Sequence, residues 1–325
     1  MAVTTCTFTN QGSSMKLNAN CWTDTSIAIP NGKTLDGRGF TITGVDPAGD
    51  HFRGAVIVNG GGSASVKNLK VTVSGLINVC DAGADRLRGI MFEGASGSIT
   101  GSTILDINQG ASGCQEGNAV EVRNFGANAA TSRVTISGST ITGYQKTGIV
   151  ANGNVEVHAI DNLVDGGGPV GYIARNGIQF GFGGSGSAKR NTVSGNSYTG
   201  TSTVSGGILV VGGPGYGGDF CVGVQIVQNT ITGNDVGAYL SQYEADFSAP
   251  VTATNIKVTN NTISHADVTN GYVYQAGVSD VGNNDKIIAN TISGTGYDPA
   301  TIPGSTFYID ADLSFTNRVK VHANR

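Results

Sequence analysis

Apolar residues recur along this chain in short alternating runs, such as Val134 and Ile136 or Val224 and Ile226, with a polar residue between them. Alternation with period two is the pattern of a strand, and no stretch sustains the spacing of an amphipathic helix. Two phrases punctuate the runs. One is Asn-Thr-Ile-Ser-Gly or a near copy, at 139–143, 191–195, 229–233, 261–264 and 290–294. The other is Gly-Ile-x-apolar, at 89–92, 148–151, 177–180 and 207–210, with looser copies at 119–122, 237–240, 277–280 and 306–309. The second position of that phrase falls at 90, 120, 149, 178, 208 and 238, a step of 29 or 30 residues. Such a cadence marks a repeat solenoid.

A unit of short strands joined by Gly and Asn turns cannot cover its own apolar face, whereas stacked units bury it in one continuous cylinder. The shortest unit, Ser139 to Asp161, spends 22 residues on a turn, more than the ~18 of a left-handed hexapeptide helix. The pattern therefore predicts an all-β fold, a right-handed three-sheet parallel β-helix of about ten coils. Residues 1–26 would form an N-terminal cap segment and 27–325 the solenoid, a single domain overall.

Composition narrows the partners. Gly numbers 51 but Pro only 7, which excludes collagen and Pro-rich linkers. Charged residues make up 13% and the net charge is −4, so no general affinity for nucleic acid is expected. No apolar run is long enough for a membrane helix. Eleven of the 19 basic residues lie between Arg53 and Arg190, and none between Asn191 and Ile256; if one groove receives an anionic ligand, it should lie on the N-terminal half. Cys6 and Cys21 bracket the first segment, while Cys80 and Cys114 are 34 residues apart, near one repeat, at equivalent loop positions. Stacked loops bring such positions to the ~5–6 Å that a disulfide needs. Cys6–Cys21 and Cys80–Cys114 are the expected pairs, with Cys221 a buried thiol. Disulfides imply a secreted or cell-surface protein; no leader is legible before Cys6, so the export signal is expected to have been removed.

The run from Ile27 to Ile42 (IAIPNGKTLDGRGFTI) resembles the first coil of the pectate-lyase-like superfamily of right-handed parallel β-helices, and Val66–Val71 and Val227–Ile231 resemble its Asn-bearing turn. The likeness is one of scaffold and covers almost the whole chain. It implies an internal ladder of Asn68, Asn191, Asn229, Asn261 and Asn290. It also implies a ligand groove along the Gly-Ile-x-apolar strands, walled by neighbouring loops. The chain departs from the family's catalytic patterns: it has neither an Asp pair with Gly-His-Gly, nor Asp-Pro-His-Glu, nor Arg-x-Pro-x-Arg. No activity carries over residue by residue.

The loops before those strands are long, from 74–88 and 106–117 to 265–276, as a walled groove would need. With Ile and the residue two later facing inward, the outward rows begin Met91, Glu121, Val150, Gln179, Leu209, Tyr239 and Glu93, Arg123, Asn152. Glu93 and Glu121 then stand about 8 Å apart at their bases, within the ~6.5–9.5 Å of an inverting glycosidase pair. Arg123 would stack on Glu93 and hold it ionised as the base, leaving Glu121 as the acid, with Arg88 orienting substrate. β-Elimination on a uronate polymer is the alternative chemistry, drawing on Arg88, Arg123, Lys146 and Arg175. Further substrate contacts are expected from His51, Arg53, Asp106 and Glu116, and from Tyr144, Tyr172, Gln179 and Tyr239. A plain surface ion-pair ladder, or a non-catalytic glycan-binding module, would use the same residues. A second cluster holds Tyr239, Tyr243, Glu244, Asp246, Asp280, Asp310 and Asp312; its Tyr rings suit sugars and its carboxylates could hold Ca2+. No Cys/His spacing suits a structural metal. Thr-x-Thr pairs such as Thr41 and Thr43 are not expected to repeat in register, which argues against an ice-binding face.

Overall fold

The computed structural model describes residues 4–126, 129–298, 300–301, 309–311 by backbone, and 319–325. Its strands form three sheets of twelve, ten and ten, wound as a right-handed parallel β-helix, the hand that crossovers between parallel strands favour. Each coil runs from a groove sheet (Arg88–Glu93, then Asn118–Asn124) to a base sheet (Ser96–Thr100) and on to a ladder sheet (Thr103–Leu105). The base sheet begins with an antiparallel pair, Phe8–Gln11 on Ser14–Leu17. That hairpin covers the first rung's edge, which would otherwise invite another strand.

The register in the groove sheet follows the repeat. Ile57, Ile90, Val120, Ile149, Ile178, Ile208, Ala238 and Val278 stack in one inward column, and all are fully buried. The last copy is shifted by two: Ile309, not residue 307, continues the column above Val278. Both disulfides form as the loop stacking predicts, with Cα separations of 5.0 Å for Cys6–Cys21 and 5.1 Å for Cys80–Cys114, and Cys221 is a buried thiol.

The corner between base and ladder sheets is two residues long. Its first residue adopts a left-handed conformation, at Asn68, Asp161, Arg190, Gln228, Asn260 and Ala289. Its second points inward and builds the ladder. Asn162, Asn191, Asn229, Asn261, Asn290 and Asn324 each bond to the next through Nδ2 and Oδ1 at 2.9–3.0 Å. Their Nδ2 groups also donate to backbone carbonyls, as from Asn191 to Ala159 and from Asn229 to Ala188, so these buried amides are satisfied. Asn68 is not a member. It takes the left-handed corner position, which Asn tolerates, and Leu69 fills the ladder column with Ser102 and Ser139 above it. Asn162 and Asn324 were not anticipated.

The Thr pairs of the ladder sheet do align, contrary to their uneven sequence spacing. Thr192, Thr230, Thr262 and Thr291 share one outward column, because coil length varies only in the loops. Leu163 interrupts the same column.

Candidate functional site

On the N-terminal coils the charges are drawn inward. Glu121 is buried at 5% exposure, and Arg88 at 2%. Arg88 Nε donates to the Glu121 carboxylate, and its other nitrogens donate to the carbonyls of Gly83, Ala84 and Arg86. The expectation that Glu121 faces water is therefore corrected: loop 74–87 folds over the groove sheet, and Arg88 is the strut between them. Glu116, also expected to meet substrate, is buried and clamps the same loop, accepting from the N–H groups of Asp81 and Leu87 and from Gln109. Cys80 and Cys114 lie beside it with metal-like spacing, but their sulfurs are joined to each other.

His51 bonds to Asp81 at 2.9 Å, on the flank of that loop, and Arg53 pairs with Asp50 of its own segment at 2.8 Å. Glu93 stays at the surface, paired with Arg123 at 3.0 Å across the rung, as the register predicts. Asp106 occupies an exposed left-handed corner. Tyr144 is corrected as well: it is a core residue with no exposure, its hydroxyl donating to Asn196 at 2.6 Å. Gln179 lies on the sheet and bonds to Asn152.

The open part of the groove lies on the C-terminal coils. Two adjoining depressions of about 450 and 480 Å3 share Ser202, Thr203, Val204 and Tyr239. Their floor is the groove sheet at Leu209, Val211, Tyr239, Ser241, Ser279 and Val281. One bank carries Tyr172, Tyr198, Tyr272 and Tyr274, from the loops that precede the strands. The opposite bank carries Tyr216, Tyr243 and Phe247, packed on one another with ring centroids 5.8–6.3 Å apart.

Buried polar residues hold both banks. Asp235 accepts from Ser197 Oγ, the N–H groups of Tyr198 and Ser205, and Asn270 Nδ2, tying loops 199–205 and 265–275 together. Burial raises its carboxyl even against those donors. Gln242 bonds in both directions to the backbone of Cys221, fixing the loop that presents Tyr216.

No Asp or Glu lines either depression among the described residues, and Lys146 is the single basic side chain that does. It donates to the Ala174 carbonyl at 2.7 Å, and desolvation lowers its pKa to about 8. Beside it on the bank, Tyr172 accepts a hydrogen bond from Arg175, whose guanidinium lies 5.6 Å from the ring centroid. Arg175 is itself buried and also holds the Gly166 carbonyl, so it supports Tyr172 from behind. Lys146, Tyr172, Arg175 and Tyr239 are thus brought together.

The carboxylates of the second cluster whose side chains are described, Glu244, Asp246 and Asp280, are not. Glu244 and Asp246 are bound within their own loop to Val251 and Ser248, and Asp280 points into the cylinder, in register with Leu240. Asp312 and Tyr308 lie outside the described residues. Sequence reasoning missed Tyr198, Tyr216, Tyr272, Tyr274 and Phe247. One signal was available: seven of the ten Tyr fall between 172 and 274, and none precedes 144.

No family model and no curated protein matches the chain. Among solved structures it is similar to the Dettilon tailspike protein gp208, with a TM-score of 0.46 and 16% identity, over 96% of this chain and 63% of that one. It is also similar to the A-module of the Azotobacter vinelandii mannuronan C-5 epimerase AlgE4, with a TM-score of 0.36 and 16% identity over 96% and 88% of the two chains. DFA-IIIase from Arthrobacter chlorophenolicus A6, without its lid, aligns at a TM-score of 0.37 and 14% identity over 94% and 86%. The chain spans just under two thirds of the tailspike's length, and its own three parallel sheets make it a right-handed parallel β-helix.

Proposed function

We propose that this protein binds a polysaccharide in the aromatic groove and cleaves it by β-elimination at a uronate residue. The observation that carries the reading is the lining itself: among the described residues it has aromatic rings on both banks, no carboxylate and one lysine. Tyr and Phe rings suit the apolar faces of sugars, with the hydroxyls free to bond. A glycosidase usually needs two carboxylates across the scissile bond, and none of the described residues that line this groove is one. With Glu121 committed to Arg88 beneath a loop, hydrolysis by Glu93 and Glu121 loses its acid.

Elimination needs a base, a proton donor and a positive charge near the uronate. In the neutral form Lys146 takes the C5 proton; the C4–O4 bond breaks as the C4=C5 double bond forms. Tyr172, whose oxygen already accepts from Arg175, gives its proton to the departing O4. Arg175 then stabilises the phenolate until solvent restores the proton. Export of the chain fits its two disulfides and the extracellular setting of such polymers.

A panel of uronate and neutral polysaccharides tests this, read by the ultraviolet absorbance of new unsaturated ends and by product sizing. Unsaturated oligomers from a uronate polymer, lost in Lys146→Gln, are expected. Saturated products lost in Glu93→Gln would favour hydrolysis instead, and retention without any product would identify a binding module.

A further inference from the structure

From Phe92 to Leu240 and from Ala64 to Ile256, the two inward columns that flank the corner after the groove sheet hold apolar residues or glycine. Leu240 and Ile256 are both fully buried. In the next coil their places fall to Asp280, in register with Leu240, and to Asp285, one residue before Lys286, which pairs with Lys257. Both carboxyls are buried, at 1% and 0% exposure. Each is the only charged group that the other meets among the described residues; burial raises both, and repulsion from Asp285 raises Asp280 further. Gly282 makes room for them: a Cβ there would fall 1.9 Å from Asp285 Oδ2 and 2.8 Å from Asp280 Oδ1.

Hydrogen bonds account for only part of this cluster. Asp285 Oδ1 accepts from Thr254 Oγ1 and the Ile256 N–H. Among the described residues, both oxygens of Asp280, Oδ2 of Asp285 and Oδ1 of Asn283 have no N–H or O–H donor, although all are buried. Asn283 belongs to the same turn, at 5% exposure, with its Nδ2 spent on the carbonyls of Pro250 and Val251. All four orphans are oxygen acceptors. Two anions facing each other in an apolar cylinder are untenable without a counter-charge. One shared proton would join a single oxygen of Asp280 to Asp285, leaving the second Asp280 oxygen and Asn283 unpaired. A cation between the two carboxylates would supply the counter-charge.

We propose that Asp280, Asp285 and Asn283 bind a hard divalent cation of the Ca2+ class inside the C-terminal end of the cylinder. An all-oxygen set with two carboxylates selects Ca2+ over softer metals. The ion would serve the fold rather than the groove, closing a core position that the preceding coil fills with Leu and Ile.

The test uses the intact chain. Metal analysis after dialysis against metal-free buffer is expected to find about one Ca2+ per chain, with a Tm that falls in EDTA and returns on adding CaCl2. The double variant Asp280→Leu/Asp285→Ile copies the previous coil and should fold, hold no Ca2+ and lose the response to both reagents. Gly282→Ala keeps every ligand but fills their space, and should weaken the Ca2+ response. Absence of bound metal, with a Tm indifferent to EDTA and CaCl2, would overturn the proposal. A Tm that instead falls between pH 5 and 8 would then identify a carboxylic acid–carboxylate pair sharing a proton.

Discussion

The two halves of the groove sheet share one backbone and differ in what their loops do with it. On the N-terminal coils, loop 74–87 folds over the sheet, and the ionic residues beneath it pair with one another: Arg88 with Glu121, and Glu116 with backbone N–H groups. On the C-terminal coils the loops stand apart as banks, leaving Leu209, Tyr239 and Ser279 as the floor of an open trench. Charge density is thus a poor guide to the site in this protein. The first coils spend their ions on holding a loop down, and the space for a ligand opens beyond them, where Lys146 is the single basic side chain in the lining among the described residues.

Breaking this contrast at the trench should have the largest effect. If Lys146 is the base, Lys146→Gln should lower turnover by ~10²–10⁴-fold. The wild-type rate should rise with pH through about 8 and then level, because desolvation holds the amine there and only its neutral form accepts a proton. A profile that falls over the same range would remove Lys146 from the mechanism. On the covered half, Arg88→Met leaves Glu121 a lone buried charge and should cost ~3–5 kcal/mol, whereas Arg88→Met with Glu121→Leu should recover most of that loss. Urea denaturation of the single and double variants measures the difference.

Smaller effects sharpen the boundary. Tyr243→Ala removes one ring from the Tyr216–Phe247 stack and should weaken glycan retention by about 0.5–1.5 kcal/mol while leaving Tm nearly unchanged, readable by affinity electrophoresis. The surface pair should matter least: Glu93→Gln is expected to change stability by no more than ~1 kcal/mol and to leave turnover intact. Loss of activity in that variant would move the site back to the N-terminal coils.

The coils were legible because their cause is local. Alternation and the 29–30-residue step of the buried Ile column hold wherever a rung stacks on a rung, so the register of Ile90, Val120 and Ile149 followed without a structure. The outward direction of Glu93 and Arg123 was equally readable. Whether an outward residue is exposed was not. Outward means only away from the cylinder, and Glu121 is outward yet buried, because a loop's path over the sheet leaves no period in the sequence. The trench was hidden for the same reason, since its Tyr residues come from five separate segments that only the winding assembles. Asn68 shows how narrow the margin is: a shift of one residue turns a ladder amide into a corner residue with φ near 50°.

The asparagine spine has a mechanical consequence. Successive ladder residues are 29, 38, 32, 29 and 34 positions apart in the chain, yet the amide-to-amide spacing is uniform. That edge behaves like the bound side of a book: pages of unequal width hang from it, and all the unevenness appears at the fore-edge, where the trench lies. Segments spliced into or cut from the fore-edge would reshape the trench without unstitching the binding.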